Sequence, residues 1–153
     1  MSVAVSPLKK LQQTTLSDIQ YLADNLREAD RLEITHLGYT PHDGLTMSFR
    51  MSEMCYSGYL GDELVCVFGV CPQEGFAAPW MMGTPVMSKV KRETLTWAAA
   101  IKAELSDRYP LLLNYVWAGN TTHIRWIKWL GFEFTGEQFQ RNGETFLQFI
   151  SRK

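Results

Sequence analysis

Much of what would classify this chain at a glance is missing from it. Three cysteines, Cys55, Cys66 and Cys71, make an odd count with no Cys-x-x-Cys pair, so neither a disulfide framework nor a zinc site is supported. That usage fits an intracellular, reducing compartment. The longest apolar runs, "LVCVFGV" and "LLLNYVWA", fall far short of the roughly 18 residues that suggest a membrane span. The opening "MSVAVSPLKKLQQ" has no signal-peptide core, so secretion through such a signal is not expected. A net charge of −1 lacks the basic excess that general nucleic-acid binding needs. His36, His42 and His123 show no metal-ligand spacing, and no metal is expected. There is no internal repeat, low-complexity tract or Pro/Gly-rich linker. What remains, 153 residues with 46% hydrophobic and 20% charged side chains, fits one domain over 1–153, with residues 1–14 as an arm or edge strand.

From Thr15 to Leu37 the apolar residues Leu16, Ile19, Leu22, Ala23, Leu26, Ala29, Leu32 and Ile34 recur near helical spacing. They predict two short helices or one bent helix, with Ser17 and Asp18 able to cap the start. "TPHDGLTMSFRMSEM" predicts a further helix after a Pro/Gly break. The period then changes to two. "CYSGYLGDELVCVFGVC" reads as a hairpin around Gly61-Asp62, and "PWMMGTPVM" as a third strand. Ser88 stands where the next helix would be capped, and from Lys89 to about Arg108 that helix places Val90, Thr94, Trp97, Ile101 and Leu105 on one face. "LLLNYVW" suggests a strand buried on both faces. A helix capped by Asn120 follows, then a terminal hairpin around Arg141-Asn142-Gly143. Helices first, then β-β-β-α-β-α-β-β, make an α/β (α+β) fold: a mixed central sheet with flanking helices.

That order resembles the GNAT acetyltransferase fold. The hairpin "YLGDELVCVFGV" and the spacing from Asn120 to Gly131-Phe132 are similar to two of its local patterns. A narrower likeness lies in "LREADRLEI", "PWMMGT" and "NYVWAGNTTHIRWIKWLGF", which resemble a GNAT-like bacteriophage family that includes small internal virion proteins of short-tailed phages. The resemblance implies a virion-associated or assembly-related protein, located in the virion or host cytoplasm. Its partners would be other phage virion proteins or itself, and host interaction would be within its range.

Acetyl transfer in the GNAT fold needs a glycine-rich turn for the coenzyme A pyrophosphate, and the matching "PVMSKVKRETL" has no glycine between Gly83 and Gly119. The general acid expected from the family is a tyrosine four residues before the Gly-Phe pair, and Ile127 stands there. "PWMMGTPVM" offers no carboxylate or histidine as base. Tyr59, Glu74, Tyr115 and His123 are the substitutes, and Lys89, Lys91, Arg92 and Asn120 the candidate cofactor contacts. His123 also reads as an edge-of-core residue, and Cys66 as a small buried hydrophobe. On the helix after Asn120, Ile124, Ile127 and Leu130 share one face, opposite Arg125 and Trp129. Trp129 is then exposed and stacked on Arg125, covered either by a partner or by the chain's own hairpin. The expected function is a catalytically degenerate GNAT-like structural or interaction module with no cofactor. The alternative is an atypical acetyl-CoA-dependent N-acetyltransferase acting on a host or phage target.

Overall fold

Thr15 and Asp18 cap each other's amides. Thr15 Oγ1 accepts from Asp18 N at 3.2 Å, and Asp18 Oδ2 accepts from Thr15 N at 3.0 Å, so two otherwise unpaired N–H groups are satisfied at the start of α1 (Leu16–Asp24). The cap is therefore Thr15, and Ser17 lies inside the helix. The computed structural model describes residues 9–153, without the side chain of Lys9. Of the N-terminal arm, residues 1–8 lie outside the described residues, while Lys9–Gln13 forms an edge strand, β1.

The apolar stretch up to Leu37 is two helices, α1 and α2 (Glu28–His36), and α3 (Pro41–Met51) follows with Thr40 capping Asp43 N. Then come β2 (Met54–Leu60), β3 (Glu63–Gln73) and β4 (Phe76–Gly83). The third strand thus starts before Pro79 and stops at Gly83. A 3-10 turn over Pro85–Lys89 leads into α4 (Lys91–Arg108). Ser88 belongs to that turn, its hydroxyl donating to Pro85 O at 2.9 Å. The cap position is Val90, which has no side-chain bond to offer. After β5 (Leu111–Trp117) and α5 (Thr121–Trp129) the chain ends in the hairpin β6 (Glu133–Arg141) and β7 (Glu144–Arg152). Asn142 and Gly143 both take positive φ at its turn, as a tight two-residue hairpin requires.

The seven strands of the described residues form one sheet in the order β1-β2-β3-β4-β5-β7-β6. Neighbours are antiparallel except β4 and β5, which run parallel. Two cores lie on its two sides: Ile19, Leu22, Ile34 and Leu45 of α1–α3 pack with Val67 and Met82, while Trp97, Ile101, Leu105 and Trp126 of α4 and α5 pack with Phe68, Leu112 and Val116. Trp97 reaches the sheet because Gly58 has no side chain, and a Cβ there would lie 2.4 Å from the indole. On β5 only Leu112 and Val116 are fully buried, the rest being half-buried, so this strand is not covered on both faces.

Candidate functional site

β4 and β5 share one backbone pair, Ala77 with Leu112, and separate beyond it. Asn114 makes the next link with its side chain, Nδ2 donating to Pro79 O at 2.8 Å. Further along, the start of α2 enters the split. Arg27 N donates to Gly83 O at 2.8 Å and Gly83 N donates to Asp30 Oδ2 at 2.8 Å, so α2 takes the place of a strand partner at the end of β4. Facing it, Trp117 N at the end of β5 donates to Glu33 Oε1 at 3.2 Å. A helix carrying two inward carboxylates thus bridges both lips of the split, which satisfies backbone groups that the diverging strands leave unpaired.

Asn120 ties this wedge to α5. Its Nδ2 donates to Asp30 Oδ1 at 2.9 Å and to Glu33 Oε1 at 3.1 Å, and its Oδ1 accepts from Arg27 Nη1 at 3.2 Å. Arg27 also donates to Asp30 Oδ1 at 2.8 Å. Asn120 and Asp30 are fully buried. The side chain of Asn120 makes no capping bond, which corrects the expectation that it caps α5; a buried pair of carboxylates offers its amide stronger acceptors than a helix end offers donors.

Burial, reinforced by the neighbouring Asp30 carboxylate, pushes the Glu33 carboxyl up to about 7. His123 is buried, with Nε2 3.4 Å from Asp30 Oδ1 but misaligned for a hydrogen bond. Desolvation outweighs the Asp30 charge and lowers its pKa, so the imidazole is neutral near pH 7. Both groups stand on the wall of a cavity of about 110 Å³ inside the split, lined mainly by apolar side chains such as Met81, Ile101, Trp126, Ile127 and Phe132.

The turn before α4 pairs three of its amides internally. Met87 N donates to Thr84 O, Val90 N to Met87 O, and Val86 N to Thr84 Oγ1, while Met87 and Val90 are buried beneath it. Lys89, Lys91 and Arg92 project into solvent there.

Superposition on solved structures decides what scaffold this is. The chain matches smu.2055 from Streptococcus mutans UA159 with a TM-score of 0.69 at 16% identity, over 94% of this chain and 98% of that one. It matches yncA from Salmonella typhimurium, described with its cofactor acetyl-CoA, with a TM-score of 0.66 at 10% identity, over 95% and 94%. An aminoglycoside acetyltransferase, AAC(6')-Ib, bound to ribostamycin and coenzyme A, gives 0.69 at 12% identity, over 95% and 93%. The fold is that of the GNAT acetyltransferases. By sequence the chain is similar to phage proteins. Residues 80–139 match the family described as "Bacteriophage T7, probable scaffold protein Gp13". The protein of that description from Escherichia phage T7 is 28% identical over 101 residues, 66% of this chain and 72% of that one.

The GNAT scaffold distributes the sequence candidates unevenly. Ile127 is half-buried against the α4–α5 core. Glu74 is exposed in the turn joining β3 to β4, at the end of β4 remote from Gly83. Tyr59 donates its hydroxyl to the Asp18 carboxylate, and burial with that contact pushes its pKa up to about 12. Tyr115 accepts from Gln148 Nε2 at 2.9 Å and packs edge-on against Phe139. Cys66 is fully buried and its thiol pKa is pushed up by desolvation. Tyr115 and His123 both line the cavity inside the split with Glu33, and Asn120 joins Arg27, Asp30 and Glu33 at its mouth. Those three lie within or beside "LREADRLEI", but a spacing of three on a short helix is equally that of a solvated face, so no residue pattern singles them out.

On α5 the buried residues are His123 and Trp126, with Ile124, Ile127 and Leu130 half-buried. The buried face is therefore rotated from the one expected, and His123 sits inside the core and not at its edge. Trp129 is 63% exposed. Arg125 does not stack on it; the cation–π contacts of the described residues are Lys102 over Phe132, Lys128 over Phe134 and Arg141 over Phe139.

Proposed function

We propose that this chain is a phage assembly-related protein that uses a GNAT fold as a structural and interaction module, not as an acetyltransferase. The observation that carries the reading is the occupied split. Asn120, the best-placed candidate for a cofactor contact, has its amide engaged by Arg27, Asp30 and Glu33, and the Gly83 N–H is taken by Asp30. In the turn expected to cradle a pyrophosphate, the amides of Val86, Met87 and Val90 are bonded within the turn, and Val90, buried, stands where a glycine is expected. No cofactor is required on this reading. The protein acts in the virion or the host cytoplasm, and its partners are other phage virion proteins or further copies of itself. Its similarity to the phage T7 protein supports the assembly context.

One observation favours the acetyltransferase alternative: Glu33, with its carboxyl near neutrality on the cavity wall, has the pKa of a general base. Isothermal calorimetry with acetyl-CoA separates the two. The module reading expects no saturable heat. Binding in the low micromolar range, lost on substitution of Lys91 and Arg92, would establish the alternative instead.

A further inference from the structure

The residues that α2 buries are Asp30, Glu33 and Ile34. This helix therefore sits in the split on two acids and one aliphatic side chain, the latter packed over Gly44 of α3. Acids enter a protein interior only where partners meet them. A helix of nine residues does not hold its own shape in water, and Arg27 at its N-cap makes no side-chain capping bond. The seat of α2 thus depends on how its two carboxyl groups are met. Asp30 is met by the Arg27 guanidinium at 2.8 Å and by Gly83 N at 2.8 Å, with His123 Nε2 at 3.4 Å. Glu33 receives neutral donors, Trp117 N at 3.2 Å and Asn120 Nδ2 at 3.1 Å, both on Oε1. The same Asn120 nitrogen donates to Asp30 Oδ1 at 2.9 Å, so the two carboxyl groups are neighbours, and the guanidinium beside them is bonded to Asp30. The remaining charged or titratable groups around the pair belong to other elements or to the far end of α2. Lys102 of α4 and Tyr115 of β5 stand on the cavity wall with Glu33. Cys66 of β3 has its thiol pKa raised by burial and by the Asp30 charge. His36 packs on the Trp117 ring, whose N–H donates to Glu144 of β7.

We propose that α2 is a proton-operated latch on the cavity: it stays seated across the split while Glu33 carries a proton, and it comes away as a unit when that proton is lost. With one guanidinium for two neighbouring carboxyl groups, the seat matches a single negative charge, and Oε2 of Glu33 is left to carry the proton. Ionised Glu33 would set a second negative charge beside Asp30 out of reach of water, and release of α2 brings it back to water. The ends of the helix suit this motion. Asn25 closes α1 just before it, and Gly38, with φ of 98°, turns the chain just after it. Release breaks the contacts of Asp30 and Glu33 with Gly83, Trp117 and Asn120, together with the bond from Asn142 Nδ2 to His36 O at 2.7 Å. It also uncovers the cavity wall at Met82 and His123, so the step that relieves the charge opens the apolar interior. Burial and the Asp30 charge raise the Glu33 carboxyl to about 7, against 4.5 in water. The seat is therefore fully supported below about 4.5, and that support is lost as pH rises to about 7. His123 works the other way, since its ring is held neutral in the seat and takes up a proton more readily once released.

Amide hydrogen exchange on the full chain, corrected for the pH dependence of the exchange chemistry itself, tests the latch. In the native chain the amides of α2 should open at least about tenfold more often than those of α4, because release of the latch leaves the core of α4 and α5 intact. Glu33→Gln keeps the shape and the acceptor of the protonated carboxyl without its titration, and comparison with it removes the contribution of His123. The ratio of α2 opening in the native chain to that in Glu33→Gln should rise by about 30-fold from about pH 5 to about pH 6.5 and level off above about 7. Amides of α2 that open no more often than those of α4 would show that the helix leaves only when the whole chain unfolds. A ratio that stays level with pH would show that the Glu33 proton does not govern its release. Either result overturns the proposal, and the first comparison needs the native chain alone. No acetyl-CoA enters the experiment, so the latch and the module reading stand or fall separately.

Discussion

Asn120 and Glu33 show how much a single buried amide and carboxyl decide here. As a bridge between Asp30, Glu33 and Arg27, Asn120 cannot be replaced by a side chain that merely caps a helix. Asn120→Ala should destabilise the fold by about 2 to 4 kcal/mol, because two buried carboxylates lose a donor. Asn120→Ser, an equally good helix cap, should not restore it, and urea melts of both variants distinguish bridge from cap. Glu33 predicts a pH dependence. Below about 4.5 its carboxyl is protonated in both states. As pH rises toward about 7, the unfolded chain releases the proton while the folded chain retains it, so the stability it contributes falls through that window and is gone above it. His123, with a lowered pKa, acts in the opposite sense, its contribution being full above the ordinary histidine value of 6.5 and lost as pH falls. Glu33→Gln removes only the first effect. Its stability relative to the native chain should rise by about 3 kcal/mol between acid and mildly alkaline pH, and a difference that stays flat with pH would show that Glu33 is ionised in the fold.

At the scale of elements, the face of α4 is legible in the amino-acid sequence, since Thr94, Trp97, Ile101 and Leu105 are all buried where the helical period places them. Trp97→Ala should cost about 3 to 5 kcal/mol, read from denaturant melts. Trp129→Ala, on an exposed site, should stay within about 0.5 kcal/mol of the native monomer. α5 is harder to read, because nine residues containing two tryptophans, two isoleucines and a histidine offer more than one apolar stripe. Only contact with β5 and α4 selects the stripe of His123 and Trp126. The helix starts depart from expectation for a local reason: Ser17 and Ser88 have the right chemistry, but Thr15 and the 3-10 turn fix where the backbone enters the helix. Thr15→Ala should cost about 1 kcal/mol in the same melts, through loss of the reciprocal cap.

For the whole molecule, the proposed function turns on the split of β4 from β5, whose mouth is bridged by α2. A ligand that binds only the folded chain stabilises it by about 2.7 kcal/mol at a hundredfold excess over its dissociation constant. Acetyl-CoA at such an excess over a micromolar constant should leave the thermal midpoint of this chain unchanged, and a clear rise would mean that the wedge yields to the cofactor.

The order of elements, the two hairpins, the core face of α4 and the missing turn glycine can all be read from the chain, because periodicity, turn residues and backbone freedom are local properties. Where the carboxylates of "LREADRLEI" point cannot. Asp30 and Glu33 have the spacing of a solvated helix face, and only the parting of two strands distant in sequence gives them buried amides to accept from. Charges are kept out of a protein interior unless partners meet them there, and those partners, Gly83, Trp117 and Asn120, are brought together by the tertiary fold alone.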